Sequence, residues 1–504
     1  MTKSKSKATN QSWQPVDRLS IILISILSLT IAILLLVVSP VGPKVRDFSW
    51  QEQTIGAEDR AFILTFNSPM ERESVENNLK IAPTLPGKIS WSGRRLAYTL
   101  ENPATYGLDY EISIKGAREK IGSGDSQGKL LQPFTGQFES RNRAFAYIGV
   151  EGEEKGKLIL YNLTGRQQSI LTPADLIVTD FQPYPQGDRI LFAAEEQKDW
   201  AEGLNKQQLY SVATGIQSQE GEDLAPGENL QVVLDSKDYQ NLQFAIAQDG
   251  ETIIVKRLSW RNKSDQDLWV IKGEEEAKPL KQELTGNFVI TPDSQAVVIP
   301  TGKDGKGIGV VPLEPKTETI EFLPKFGQVL SFASDGTAAA MVDFNSDDPE
   351  LRYARSLFLV TNQGVQKKLL DVKGSLIDCA FDANRKNLYC LLSELKEEEG
   401  YQEQPYLAKF DLEDTKNPTV TPLALLPEQL DVKMSLAPDG LGILIDQVIP
   451  TETDSAEALR SDSGQPVATS RLWLLLLPPP GIESPEPPAL EELPLPGFKP
   501  QWMP

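Results

Sequence analysis

Cys379 and Cys390 are the only cysteines among the 504 residues. They stand symmetrically about the Asn384–Arg385 step, so in an antiparallel hairpin they would face one another within bridging distance. Either a disulfide or a pair of small buried thiols satisfies that placement. Asp343-Phe-Asn345-Ser-Asp347 alternates oxygen-bearing side chains as a calcium loop does at its start, which makes Asp343, Asn345 and Asp347 weak metal candidates. The sixth position lacks the glycine of such a loop, and Ala354 stands where a bidentate Glu belongs, so an acidic turn is the better reading. Gly124-Asp-Ser126-Gln-Gly128 has nucleophile-elbow spacing, but an elbow needs a strand before it, a helix after it and a histidine base. The chain has no histidine. That excludes Ser-His-Asp and Cys-His triads, imidazole metal sites and imidazole acid–base chemistry together. Gly305-Lys-Gly307-Ile-Gly309 runs on to Pro312 and fits neither phosphate-loop pattern. A carboxylate pair, as in glycoside hydrolysis, is the enzymatic route left, and 71 acidic residues supply such pairs too freely to single one out. The chain therefore reads as a non-enzyme with no cofactor.

Hydrophobic residues make up 40% of the chain and charged ones 24%, enough for packed cores. A net charge of −21 repels phosphate backbones and argues against nucleic acid as a partner. Leu19–Val38 is an uncharged apolar run, about 30 Å long as a helix, preceded by Lys3, Lys5, Lys7 and Arg18 and followed by Pro40 and Pro43. This pattern predicts a basic cytoplasmic tail over 1–18, a single-pass transmembrane helix over 19–39 that contacts the membrane, and a periplasmic or extracellular remainder.

Between residues 46 and 141 short alternating segments recur, among them Ala61–Phe66, Ser74–Ile81, Lys88–Trp91, Leu96–Leu100, Tyr110–Ile114 and Phe134–Phe138. Turn signals separate them, which predicts a small β-sandwich. Phe66-Asn-Ser-Pro-Met70 with Ser74-Val75, then Ile81-Ala-Pro83, Trp91, Leu96 and Tyr110-Glu-Ile, resembles the bacterial Ig-like domain of S-layer-type surface proteins. The resemblance implies a spacer or adhesion module and carries no catalytic residues.

From 142 to 477 a strand, a Pro/Asp/Gly/Asn turn and a second apolar strand repeat. Turn residues 187, 250, 294, 336, 384 and 440 lie 63, 44, 42, 48 and 56 apart. Third strands such as Lys157–Tyr161, Asp267–Ile271 and Ser356–Val360 follow several of these pairs. Four strands per unit and about seven units predict an all-β architecture with a β-propeller of about seven blades behind the sandwich. The Pro-Asp-Gly turns with their following strands resemble the Tol-system propeller and WD-repeat-like propellers, which implies a protein-interaction platform. Ring closure stays open: Phe134–Phe138 suits either the sandwich or the last blade. Residues 478–504 hold ten prolines, which predicts an extended tail rather than a helix or central strand. Polar insertions at Glu195–Asn205, Glu394–Gln404 and Pro450–Ser470 read as rim loops. The whole points to a membrane-anchored binding or scaffold protein of a bacterial cell envelope, its partner an envelope protein or glycan. A carboxylate-dependent glycosidase or lyase and a mechanical spacer are the alternatives.

Overall fold

A computed structural model describes residues 15–37, 42–120, 128–216, 224–281, 286–301, 307–314, 321–351, 353–396, 402–413, 419–429, 431–453, 455, 458–479 and 488–504. These residues form nine four-stranded sheets.

Two sheets pack together near the N-terminus. One runs Val45–Phe48, Ala61–Phe66, Arg95–Leu100, Gly87–Ser92; the other runs Thr54–Ile55, Phe134–Ser140, Asp109–Ile114, Leu79–Ala82. Strict alternation turns Phe62, Leu64 and Phe66 inward from one sheet and Tyr110, Ile112 and Ile114 from the other, into one shared core. Trp50 meets Phe62 edge-on at 5.3 Å, and Tyr110 stacks on Phe138 at 5.1 Å. Ser74–Ile81, expected as a strand, divides into a short helix, Arg72–Glu76, and the strand Leu79–Ala82. Within the helix only Val75 is buried, so no period-two apolar face exists there. Phe134–Ser140 belongs to this sandwich.

The other seven sheets are the blades of a β-propeller. Blade 1 is Gly497–Trp502, Ala144–Gly149, Leu158–Asn162, Gln167–Ile170; blade 2 is Leu176–Pro183, Arg189–Glu196, Gln208–Ala213, Gln231–Leu234, and blades 3 to 6 repeat the order, beginning at Tyr239, Val289, Gln328 and Leu376. Blade 7 is Met434–Leu436, Gly442–Pro450, Val467–Leu476, Leu490–Leu493. Every neighbouring pair shares a core, as a closed ring of two-faced sheets requires. Phe181 and Ile148 belong to the core shared by blades 2 and 1, Leu191 and Val255 to that of 2 and 3, Ile254 and Val297 to that of 3 and 4. Val298 and Met341 join blades 4 and 5, Val342 and Leu388 join 5 and 6, Leu391 and Ile443 join 6 and 7. Leu444 and Phe145 close the circle between 7 and 1.

Closure comes from the segment expected to be an extended tail. Gly497–Trp502 is the inner strand of blade 1, antiparallel to Ala144–Gly149, and Leu490–Leu493 completes blade 7. Proline is tolerated because Pro500 falls in the register shift between Phe498 and Gln501, where no ladder N–H is needed. Gly497 lies against the buried Tyr147 ring, where a Cβ would come within 2.2 Å of the ring. The strand is also tied sideways. Trp502 N donates to Ser435 Oγ at 3.0 Å on blade 7, and Gln501 Nε2 donates to Phe181 O at 2.8 Å on blade 2. Asp446, 1% exposed on blade 7, accepts from Lys433 N at 2.7 Å and from Lys499 N at 2.8 Å.

Residues 15–37 are helical, and the Ser25 and Thr30 hydroxyls donate back to the Ile21 and Ile26 carbonyls. Among the described residues, however, no helix is long and apolar enough to cross a membrane. That overturns the transmembrane helix over 19–39 in the expected fold, the membrane contact assigned to it, and the cytoplasmic and extracytoplasmic placement built on it.

Asp446→Ala would leave the partly buried backbone N–H groups of Lys433 and Lys499 without this acceptor. We expect a loss of about 3 kcal/mol in unfolding free energy, read from denaturant midpoints, and a smaller loss for Asp446→Asn, which keeps one carbonyl oxygen in place.

Candidate functional site

The ring has two open faces, and the sandwich covers part of one. The turns joining first and second strands lie on that face. Their left-handed positions are filled by glycine in blades 2, 3, 5 and 7 and by Ser294 and Arg385 in blades 4 and 6. The turn Asp439 has a side chain only 2% exposed; its Oδ2 accepts from Arg143 at 2.8 Å and from Tyr106 N at 3.1 Å. Arg60 donates to Asn384 Oδ1 of the blade-6 turn, and Arg141 links Glu58 of the sandwich to the carbonyl of Pro504. The sandwich is therefore seated on the Asn384 turn of blade 6, the Pro-Asp-Gly turn of blade 7 and the Pro504 carbonyl that follows the closing strand of blade 1. The opposite mouth is formed by the starts of the inner strands.

Inner strands approach that mouth irregularly. Register shifts at Val178/Asp180, Asn241/Gln243, Val329/Ser331, Leu376/Asp378 and Phe498/Gln501 put bulges in five of the seven. Bulges re-aim side chains next to functional sites. On the side of blades 6, 7, 1 and 2 the polar groups are charged. Lys499 Nζ lies 2.6 Å from Asp462 and 3.7 Å from Asp180 and donates to Thr179 O at 2.9 Å; Lys433 Nζ lies 2.6 Å from Asp462. Desolvation pushes Asp378 up to about 6, against its bond from Cys379 N and the nearby Lys433. Desolvation also pushes Asp446 up to about 6, against its two backbone N–H donors. Asp462 goes the other way: burial opposes its charge, yet Lys499 and Lys433 hold it down at about 2.

On the side of blades 3 to 5 the lining is amide and apolar. A cavity of about 410 Å³ is bounded by Gln243, Asn287 and Gln328 together with Phe288, Val329, Leu330 and Ile377. Gln243 Nε2 donates to Phe288 O at 3.5 Å, while Gln243 Oε1 is buried without a partner among the described residues, as are Ser331 Oγ and Thr301 Oγ1. Such acceptors are costly to leave unpaired.

The residues singled out from sequence lie elsewhere. Cys379 and Cys390 pair across adjacent strands of blade 6 as a disulfide, with Cα atoms 4.1 Å apart. Asp343 ends a strand of blade 5 and accepts from Asn345 N, and the Asn345 amide donates to Ala354 O and Ser356 Oγ. That turn is closed by its own hydrogen bonds; among the described residues no three His, Cys, Asp or Glu side chains gather where they could hold a metal ion. Ser126 of the elbow-like spacing and Gly305 lie outside the described residues. Lys433, Asp446, Asp462 and Lys499 went unread. The available signal was Asp446 itself, a lone carboxylate in the apolar run Ile443-Leu-Ile445.

No family model matches the chain, and no curated protein matches it. Among solved structures it is similar to TolB from Acinetobacter baumannii, at 12% identity over 84% of this chain and 83% of that one, TM-score 0.37. It is similar to the periplasmic gluconolactonase of Pseudomonas aeruginosa at 13% identity over 72% and 99%, TM-score 0.42. With oligogalacturonate lyase from Vibrio parahaemolyticus the figures are 11% identity, 66% and 94%, and 0.40. Likeness this faint assigns neither ligand nor activity.

Two outcomes test the site's description. Asp378 and Asp446 have folded values above the ordinary 3.8, so the stability they contribute is full below about pH 4 and is lost as pH rises through about 6. Asp462, with its folded value lowered, contributes above about pH 4 and loses its share as pH falls toward about 2. Asp378→Asn should flatten the fall in unfolding midpoint between about pH 4 and 6; an unchanged slope would count against the desolvated carboxyl. Alkylation of the unfolded, unreduced protein should modify neither Cys379 nor Cys390, and modify both once reductant is added.

Proposed function

We propose that this protein is a binding module, not an enzyme, and that it receives an extended polypeptide segment of a partner protein in the open mouth of its propeller. The carrying observation is the cavity lined by Gln243, Asn287 and Gln328. Side-chain amides both donate and accept, as the backbone of an extended segment requires. Gln243 Oε1 is buried and has no partner among the described residues, and Val329, Leu330 and Ile377 provide apolar surface in the same lining. A glycan is less well served: Phe288, the aromatic residue of the lining, is 3% exposed and offers no ring face for stacking. Carboxylate catalysis also finds less support, since both Asp446 oxygens are occupied by backbone N–H groups. The sandwich, whose sequence resembles surface-protein Ig-like domains, then serves as a platform on the far face.

Peptides selected from a random display library against the full chain should lose about tenfold or more in affinity on Gln243→Ala with Asn287→Ala, with the thermal unfolding midpoint unchanged. Selected peptides that bind the double variant as tightly as the parent would sink the proposal.

A further inference from the structure

The insertion between Gly442–Pro450 and Val467–Leu476 of blade 7 does not remain at the rim. Thr451 N donates to Pro466 O at 2.9 Å, and Val467 N to Leu459 O at 2.8 Å. Leu459, 3% exposed, enters the core between blades 1 and 2. Three residues on, Asp462 reaches the channel mouth, and each of its carboxylate oxygens takes one ammonium group. Oδ1 is 2.6 Å from Lys499 Nζ and Oδ2 is 2.6 Å from Lys433 Nζ. The two cations belong to the ring, one on the inner strand of blade 1 and one immediately before that of blade 7. The anion belongs to an inserted loop.

We propose that Lys433 and Lys499 form a carboxylate-binding site in the channel mouth, that Asp462 fills it as an internal stand-in, and that an acidic side chain of the bound polypeptide takes its place. The proposal rests on the polypeptide reading above and names the chemistry of one anchor point. Three features support it. First, the site is pre-organised without Asp462: the Asp446 carboxylate bonds the backbone N–H of both lysines, and Thr179 O with Asp180 continues to hold Lys499. Second, exchange of one carboxylate for another conserves charge, so neither lysine is stranded. Third, the way in is open, because the Asp462 and Lys433 side chains are 41% and 49% exposed, whereas Lys499 behind them is 11% exposed. An ion pair whose anion comes from a loop half open to solvent is exchangeable in a way a sealed one is not.

Acetate, the carboxylate alone, is the probe, read against chloride at equal ionic strength. In Asp462→Ala, acetate should raise the thermal unfolding midpoint with half-effect at a concentration at least about tenfold below that needed by the parent. Adding Lys433→Gln should abolish the response. Equal action of acetate and chloride on Asp462→Ala, or a response that survives Lys433→Gln, would overturn the proposal. Should Asp462→Ala fail to fold, Asp462→Asn removes the charge while keeping the shape, and the same comparison applies. Gln243 and Asn287 stand on other blades and play no part in the acetate assay. Loss of the peptide reading with an intact acetate response, or the reverse, shows which of the two has failed.

Discussion

A ring made from one chain must be fastened where its ends meet, and here the fastening is a buried carboxylate. Asp446 on blade 7 bonds Lys433 N at the start of that blade's inner strand and Lys499 N on the strand that closes blade 1. Burying a charge is costly, and such a group contributes little net stability compared with an apolar replacement of the same shape. What it supplies is register. A strand that pairs with Ala144–Gly149 through a bulge has several ways to slide, and an acceptor aimed at one particular N–H admits one of them. Trp502 against Phe145 at 5.5 Å then adds apolar burial at the same seam.

The two faces of the ring are built from different chemistry for a reason visible in their backbones. On the turn face, first and second strands join through tight turns in which residues such as Gly440 adopt positive φ, and the side chains left over, Asp439 and Asn384, are short and polar. Short polar groups at fixed spacing suit a rigid joint, and the sandwich takes it through Arg143, Tyr106 and Arg60. At the other face the strands begin irregularly, with bulges at Asp180, Gln243 and Asp378, and longer connections arrive there, including the one that carries Asp462. Irregular edges position side chains individually, which is what selective binding needs.

Much of the ring was legible because it repeats. Phe181-Gln-Pro-Tyr-Pro-Gln-Gly187 and Met434-Ser-Leu-Ala-Pro-Asp-Gly440 announce a tight turn between two strands through local chemistry alone, and in the sandwich Tyr110–Ile114 shows its buried face by alternation. What could not be read was anything set by distant partners. The closing strand lies in a proline-rich stretch, and its strand character comes from a neighbour more than three hundred residues away. Ser74–Ile81 reads as one strand in sequence, yet it divides into the helix Arg72–Glu76, in which only Val75 is buried, and the strand Leu79–Ala82. Asp462 looked like one acid among 71; its role depends on two lysines that only the closed ring brings together. The disulfide partners, by contrast, are separated by one turn, so their opposition follows from hairpin symmetry.

The asymmetry of the channel follows from the asymmetry of closure. Blades 3 to 5 continue one another along the chain, so their inner strands need no special fastening and can line the channel with amides and aliphatic side chains. Blades 7, 1 and 2 meet where the chain's last strand is inserted, and there the structure spends charged groups: Asp446 to set the register, Lys499 to reach Thr179 on blade 2, Asp462 to balance the two lysines. A latch of this kind leaves cations at the mouth as a by-product, in a chain whose overall charge of −21 makes clustered cations uncommon. Structural closure and a carboxylate anchor are thus two consequences of the same residues. The side of the channel that binds charge is the side that had to be sealed.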